Sequence, residues 1–377
     1  MTNEKLHPTP PDLKIAIVTD WLTNLGGSER VVQKLHEMFP DAPIYTSIFE
    51  PQKLPFLKTA DVRTSWMQKL PDSLRKHQLL TIPRQWYFGH LKLKGYDLII
   101  SASGAEAKAT RAQKGTHINY CYTPTQYYWV RPKEYLNRDS VGRLSSVYRF
   151  GLKILLPLAR RWDLRASKRP TTFIAISSVV QSRIKKFYGR NSTVIHPPVD
   201  TARFNVPIKK LKPRDGFVIA GRQVHHKRFD LAIRACNELG LPLTVIGNGP
   251  MHTELRRMSG PTITFKTNVT DDQMPRYFHE AAGFIFPNEE DFGVVAVEAM
   301  AAGCPVIAYR AGGSLDTVKE NISGVFFDKQ TVEDLKQAIV DFQKRHFSED
   351  RIVIHAKEFD SSVFESKIRE YIFRHVS

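Results

Sequence analysis

The chain has 377 residues, 42% apolar and 25% charged, which excludes a disordered or fibrous protein and suits two domains of ordinary size. No run of about 18 apolar residues occurs, so nothing reads as a membrane span. The formal net charge of +17 lies wholly in residues 1–205, with 32 Lys and Arg against 15 Asp and Glu; the remainder holds 23 of each.

Residues 1–13 are polar, carry Pro8, Pro10 and Pro11, and lack the apolar core of a secretion signal. They predict a loose tail on a cytoplasmic protein. Cys121, Cys236 and Cys304 show no pairing pattern, which fits a reducing compartment. Lys14 to Val18 reads as a buried strand, and Asp20 to Leu25 as a loop closing on Gly26-Gly27-Ser28-Glu29-Arg30, with Ser28 expected to cap a helix. Glycines without a Cβ let backbone N–H groups approach a ligand closely, and strand, glycine loop and helix form the usual anion cradle of open α/β sheets. The plainer alternative is an ordinary tight turn. The G-x-G-x-x-G dinucleotide fingerprint is absent, which argues against a dehydrogenase.

Strand candidates follow at Asp97 to Ser101 and His117 to Tyr122. The run Tyr120 to Trp129 contains Tyr122, read either as a sugar or acceptor contact or as a packed aromatic. From Arg143 to Arg169, eight cations (Arg143, Arg149, Lys153, Arg160, Arg161, Arg165, Lys168 and Arg169) stand among Tyr148, Phe150, Leu155, Leu156 and Trp162. Basic residues beside large apolar ones on a helix suit anionic lipid headgroups, so residues 75–95 and 143–169 are expected to meet an anionic membrane surface. A solvated basic face is the alternative. Nucleic acid is disfavoured because no recognition motif accompanies the charge.

Phe173 to Ile176 reads as a strand. Ser177, beside Ser178, then caps a helix ending near Gly189, and Thr193 to His196 leads to the break Pro197-Pro198. Asp200 to Asp215 reads as a linker. The second half alternates strands at Phe217 to Gly221, Leu243 to Gly247, Ile263 to Lys266, Phe284 to Pro287, Pro305 to Tyr309 and Gly324 to Phe327 with helical stretches, and a last helix spans Ser361 to Arg374. Such alternation predicts parallel sheets covered on both faces.

Two features of this half carry chemistry. Arg222 and Lys227 lie on the turn leaving the first strand, where a planar fork of donors and a mobile ammonium suit a pyrophosphate. His225 and His226 between them have no third ligand at metal-site spacing and read as loop residues. Further on, Glu290 and Glu298 flank an expected helix start near Gly293, with Glu298 on the order of 8 Å along the axis. Carboxylates there accept from hydroxyls, and the free N–H groups of the helix start favour phosphate between them. A nucleotide diphosphate sugar has this layout.

The joined pattern Glu290-Asp291-Phe292-Gly293, Glu298-Ala299-Met300, Gly303-Cys304-Pro305-Val306-Ile307-Ala308 and Gly312-Gly313 resembles the GT4 group of GT-B glycosyltransferases. The resemblance implies an α/β GT-B fold of two Rossmann-like doubly wound domains facing across a cleft: a tail 1–13, an acceptor domain 14–205, a nucleotide-sugar domain 206–360, and a C-terminal helix 361–377 returning to the first domain. It implies retention of anomeric configuration, no cofactor and no required metal; the sequence has no Asp-x-Asp triplet to hold one. Arg222, Lys227 and the N–H groups of Phe292, Gly293 and Val294 would stabilise the departing phosphate. Glu290 would orient the sugar, with Asp291 beside it, and Glu298 would hold the ribose. Main-chain groups near Asn268 and Val269 are expected at the base, and Gly26 and Gly27 at the donor diphosphate and acceptor. Tyr122 stands where the family often has histidine and Gln126 where it often has arginine, and tyrosine is a poor base near neutrality.

The function so implied is transfer of a sugar, with mannose favoured, from a GDP- or UDP-linked donor to a lipid-linked or oligosaccharide acceptor in cell-surface polysaccharide synthesis, on the inner face of the cytoplasmic membrane. The rival is a GT-B-fold sugar-binding or membrane-associated partner without catalysis, which Tyr122 and Gln126 keep open. A phosphorylase is disfavoured, since no segment resembles a pyridoxal phosphate lysine.

Overall fold

The structure, a computed structural model, describes residues 13–75, 80–132, 145–204 and 214–376, with the backbone alone for 145–155. The tail predicted for 1–13 lies outside the described residues apart from Leu13, as do Arg143, most of the predicted linker, and the side chains of Tyr148, Arg149, Phe150, Lys153 and Leu155. The chain forms two compact units: Met1–His196 with Phe364–Ser377, and Pro197–Val363.

The strands of the first unit are β1 (Ile15–Thr19), β2 (Ile44–Thr46), β3 (Val62–Thr64), β4 (Lys92–Leu93), β5 (Leu98–Ser103), β6 (Arg111–Ala112), β7 (Thr116–Cys121), β8 (Thr172–Ala175) and β9 (Thr193–Val194). Seven of them make one sheet in the order β3-β2-β1-β5-β7-β8-β9, while β4 and β6 pair separately. Both sheets are parallel throughout. Every residue of β1 and β5 is buried, as continuous apolar runs must be when helices cover both faces. Ile17 sits between Ile44 and Ile100 in register. Ser177 caps the helix Ser178–Tyr188 by accepting from the Val180 N–H, and Gly189 ends it at φ 66°. The C-terminal helix, Ser361–His375, belongs to this unit from Phe364 onward, through its apolar stripe Phe364, Ile368, Tyr371 and Ile372. Phe364 meets Tyr120 edge-on at 5.6 Å, and Glu365 pairs with Lys34 at 2.8 Å.

The second unit holds β10 (Phe217–Ala220), β11 (Leu243–Ile246), β12 (Ile263–Lys266), β13 (Gly283–Phe286), β14 (Val306–Tyr309) and β15 (Gly324–Phe327). Their order, β12-β11-β10-β13-β14-β15, is the doubly wound 3-2-1-4-5-6 arrangement. Phe217, Ile219, Val245, Ile285 and Ile307 share one core with Leu231, Leu335 and Ile339 from the helices Phe229–Leu239 and Val332–Gln343.

The break between units falls at Pro197, earlier than the predicted 205/206 boundary. Residues 199–204 are held by second-unit groups: Val199 bridges to Asp360, Thr201 Oγ1 donates to Asp360 at 2.6 Å, and Phe204 packs on Phe278 at 6.0 Å.

Candidate active site

In the second unit the strand order reverses between β10 and β13, and ligands of open α/β sheets bind outside the carboxyl ends of the strands at that point. The chain leaves β10 through Gly221 and Arg222 into a short turn, His225–Lys227. Gln223 is fully buried beneath it, donating to the Gly247 carbonyl at 2.8 Å and meeting the His252 ring at 2.8 Å. A Cβ on Gly247 would lie 2.2 Å from the Gly221 carbonyl oxygen, so only glycine lets these two strand ends close on each other.

That turn brings Lys227 Nζ to 2.5 Å from Glu290 Oε1, which leaves β13 on the adjacent loop. Buried Asn288 donates to the same carboxylate at 2.9 Å. Burial pushes the Glu290 carboxyl up, but the Lys227 ammonium, the Asn288 amide and nearby His226 outweigh it, so its pKa lies below the usual value. Glu290 is therefore an anion at neutral pH, and a partner cation stands against it.

The double glycine holds this loop from behind. Gly313 donates to the Glu290 carbonyl at 2.8 Å, and a Cβ on Gly312 (φ 72°) would lie 2.4 Å from that carbonyl oxygen. Asp291 and buried Phe292 then lead into the helix Val294–Ala301. Gly293 is its N-cap at φ 93°, and no side chain caps it. An uncapped start offers N–H groups to an anion. Glu298, on the same helix, faces Arg203, whose Nη2 stands 3.6 Å from its Oε1.

The structure thus joins Lys227, Glu290, the 291–294 helix start and Glu298 on two neighbouring strand ends and one helix. Arg222 is exposed at the start of the turn. Asn268 and Val269 lie in the loop after β12, two strands from the reversal. Among the described residues, no group of three or more His, Cys, Asp or Glu side chains is arranged to hold a metal ion.

In the first unit the order reverses between β1 and β5. Gly26, rather than the predicted Ser28, is the N-cap of the helix Gly27–Met38, again without a side-chain cap. Ser28 lies inside the first turn and its hydroxyl donates to Glu29 at 2.8 Å; with Gly26 already supplying the extended cap conformation, serine has no cap position to fill. Burial raises the Glu29 carboxyl, against the hydrogen bonds it accepts. Tyr122 Oη donates to the Ser28 carbonyl at 2.9 Å, and its ring meets Tyr120 edge-on at 6.0 Å. Burial, then the charge of Glu29, lifts the Tyr122 phenol well above its ordinary pKa. It stays protonated and braces the first turn of this helix. Gln126 opens the short helix Gln126–Trp129, half-buried.

Sequence reading missed the group that shapes this loop cluster. The Asp20 carboxylate accepts from Ser103 Oγ at 3.0 Å and from the N–H groups of Gly104, Ala105 and Ala107 at 3.0, 3.0 and 2.7 Å. Two further buried pairs lie in the same unit, Arg84–Glu106 at 2.8 Å and Lys108–Asp163 at 2.6 Å. Neither has a local sequence signal, since the partners meet only through the fold.

Two doubly wound units, the second with a paired lysine and glutamate and an uncapped helix start at its strand-order reversal, define the GT-B architecture. A family model described as glycosyl transferases group 1 matches residues 202–359, and one described as glycosyltransferase family 4 matches residues 25–203. The chain belongs to the GT4-type glycosyltransferases.

A GDP-mannose-dependent alpha-(1-6)-phosphatidylinositol monomannoside mannosyltransferase of Mycobacterium tuberculosis is 28% identical over 216 residues, 50% of this chain and 56% of that protein. A D-inositol 3-phosphate glycosyltransferase of Salinispora arenicola is 33% identical over 169 residues, 36% and 38% of the two chains. The chain spans about half the length, 56%, of the first of these curated relatives. Among solved structures, the lipopolysaccharide outer core galactosyltransferase WaaB superposes with TM-score 0.69 at 14% identity, covering 96% of this chain and 99% of that one. HepE of Anabaena, solved with UDP-glucose, does so at 0.67 and 17%, covering 96% and 100%. These likenesses concern the fold.

Proposed function

We propose that this protein is a retaining, metal-independent glycosyltransferase that moves a sugar, with mannose favoured, from a nucleotide diphosphate donor to a hydroxyl of a lipid-linked or oligosaccharide acceptor in cell-surface polysaccharide synthesis. The observation that carries the reading is the Lys227–Glu290 pair at 2.5 Å beside the uncapped start of Val294–Ala301. Lys227, Arg222 and the N–H groups of 292–294 take the diphosphate. Glu290 receives a hydroxyl of the transferred sugar, Glu298 the ribose, and main-chain groups of Asn268 and Val269 the base. Asp291 shapes the loop between them.

Retention by double displacement needs two carboxyl groups about 5 Å apart across the sugar, and no second carboxylate is assigned to that place. The step is therefore attack on the leaving-group face. The C1–O bond to phosphate breaks, the acceptor oxygen bonds to C1, and the acceptor proton passes to the departing phosphate oxygen. Gly26 and Gly27 keep a close approach open on the acceptor side, Gln126 lies in the same loop cluster, and Tyr122 braces the helix rather than serving as a base. Mannose is favoured because the mycobacterial relative uses GDP-mannose, and a lipid-linked acceptor because that relative acts on a phosphatidylinositol mannoside. The test is release of sugar from GDP-mannose, UDP-glucose and UDP-galactose without acceptor, in chelator, with the first-formed anomer followed by proton NMR. Release of the donor's own anomer by one of them is expected; the opposite anomer, or dependence on added metal, would sink the mechanism.

The first unit is proposed to lie on an anionic membrane surface at the inner face of the cytoplasmic membrane. No helix of the described residues is long and apolar enough to cross a membrane, so attachment would be peripheral. Ile82 and Trp86, 65% and 57% exposed, share a face of the helix Thr81–His90. That helix touches the helix Ser145–Ala166, where Gly89 adjoins Trp162. Leu158 is exposed on the second helix, as are Arg161 and Arg165, with Lys168 just beyond it. Arg160 and Arg169 are spent on the fold: Arg160 Nε donates to the Tyr128 carbonyl at 2.8 Å, and Arg169 Nη1 to the Gly89 carbonyl at 3.2 Å. Each free cation near a surface contributes about 1 kcal/mol. Changing Arg161, Arg165 and Lys168 to glutamine should therefore cut binding to phosphatidylglycerol vesicles by more than about tenfold, with phosphatidylcholine vesicles as the blank. Unchanged sedimentation would remove the proposal.

A further inference from the structure

Arg203 was not singled out by any sequence pattern, yet it is held with care. Its helix, Thr201–Phe204, is fixed at four points. Thr201 donates to Asp360 at 2.6 Å, the Arg203 N–H donates to Asp200 at 3.2 Å, the Phe204 carbonyl meets His279 Nε2 at 2.9 Å, and the Phe204 ring packs on Phe278. The guanidinium lies over the Phe204 ring at 4.6 Å. From that shelf it reaches two carboxylates on different elements: Glu298 on the helix Val294–Ala301 at 3.6 Å, and Asp271 on the loop after β12 at 3.2 Å. Arg203 Nε is buried with no hydrogen-bond partner among the described residues, so the geometry has not been set by satisfying the guanidinium alone.

We infer that Arg203 is a positioning residue for the nucleoside half of the donor, holding Glu298 and the 268–271 loop in one register. This rests on the reading above that Glu298 takes the ribose and Asn268 and Val269 the base. At 3.6 Å the Arg203–Glu298 contact attracts as an ion pair but is too long for a hydrogen bond. It therefore holds the carboxylate in place, and a carboxylate so placed can accept from the hydroxyls of a diol. The second arm of the guanidinium ties Asp271, three positions past Asn268, to the same group. Ribose and base contacts are thereby coupled through one planar cation, whose fork geometry a lysine cannot reproduce in full.

The test is calorimetric binding of GDP, UDP and their 2′,3′-dideoxy forms to wild type, Glu298→Gln, Arg203→Gln, Arg203→Lys and Asp271→Asn. Wild type is expected to prefer the ribose form by at least about tenfold, since a site built for hydroxyls is left unpaired by their loss. Arg203→Gln should lose most of that preference while binding the dideoxy form as wild type does, and Arg203→Lys should recover part of it. Asp271→Asn should keep the ribose preference and weaken discrimination between GDP and UDP. If Glu298→Gln abolishes the preference but Arg203→Gln keeps it, the positioning role is wrong and the donor reading stands. If wild type itself shows no preference, both fall. Should Arg203→Gln melt early, the lysine variant and Asp271→Asn decide alone.

Discussion

Lys227→Ala is expected to lower sugar transfer roughly 10²–10³-fold, the loss typical when one donor to a developing charge is removed from a water-poor site, while moving the melting midpoint very little. The two effects separate because the Lys227 and Glu290 side chains are 22% and 21% exposed, and a partly solvated ion pair contributes about 0–1 kcal/mol to stability. In the proposed transfer the same ammonium would face a diphosphate whose charge grows as the C1–O bond breaks. Glu290→Gln should separate the steps further. The amide keeps the shape and removes the negative charge nearest the diphosphate, so nucleoside diphosphate binding should hold or tighten while kcat falls. Because burial is outweighed by the Lys227 ammonium and the Asn288 amide, which hold the Glu290 pKa below its ordinary value, the carboxylate is an anion at neutral pH. Near wild-type transfer in either variant would remove its assigned role.

Acid should destabilise the first unit through one histidine. His117, on β7, is fully buried, with Nε2 2.7 Å from Ser101 Oγ and Nδ1 without a partner. Burial, then the charge of Arg169, pushes its pKa down to about 3. In the unfolded chain histidine titrates near 6.5, so between those values the unfolded state binds a proton that the native state does not. The stability is fully present above about pH 6.5 and is lost as pH falls toward 3, at about 1.4 kcal/mol per pH unit in between, or about 5 kcal/mol over the window. That is a large part of the 5–15 kcal/mol of an ordinary domain. All five tryptophans, Trp21, Trp66, Trp86, Trp129 and Trp162, lie in the first unit, so urea unfolding followed by tryptophan fluorescence reports it alone. His117→Gln should be less stable at pH 7.5 and lose about one proton's worth of the pH slope. An identical slope in the variant would contradict the assignment.

Much of the fold was legible because several strands are largely apolar runs that differ little from their sequence outlines: Ile15–Thr19, Leu98–Ser103, Phe217–Ala220 and Gly324–Phe327. The strands β2 and β3 were not read, since three residues at Ile44–Thr46 and Val62–Thr64 give no period and owe their extension to pairing, β2 on β1 and β3 on β2. The unit boundary was placed late because the Pro- and Lys-rich composition of 200–215 resembles a linker, whereas Thr201–Phe204 is anchored by Asp360 and Phe278. Within the second unit's candidate site, Glu290, Lys227 and Gly312-Gly313 were readable from motif and spacing. Arg203 and Asn288 there, and Asp20 in the first unit, were not. Each acts through a partner that is distant in sequence or hidden in loop geometry, and an isolated Arg, Asn or Asp carries no such information. The Tyr122 hydrogen bond to a main-chain carbonyl 94 positions away was not legible either, since nothing local in the sequence announces it.

The central claim is that the second unit holds a nucleotide diphosphate sugar between Lys227 and Glu298 without a metal. The most direct measurement is calorimetric titration of the full chain with GDP, UDP, GDP-mannose and UDP-glucose in the presence of chelator, with Lys227→Ala in parallel. Binding by one base family that survives chelation and weakens in the variant is the predicted result. No binding by any of the four, or binding indifferent to Lys227, would contradict the account.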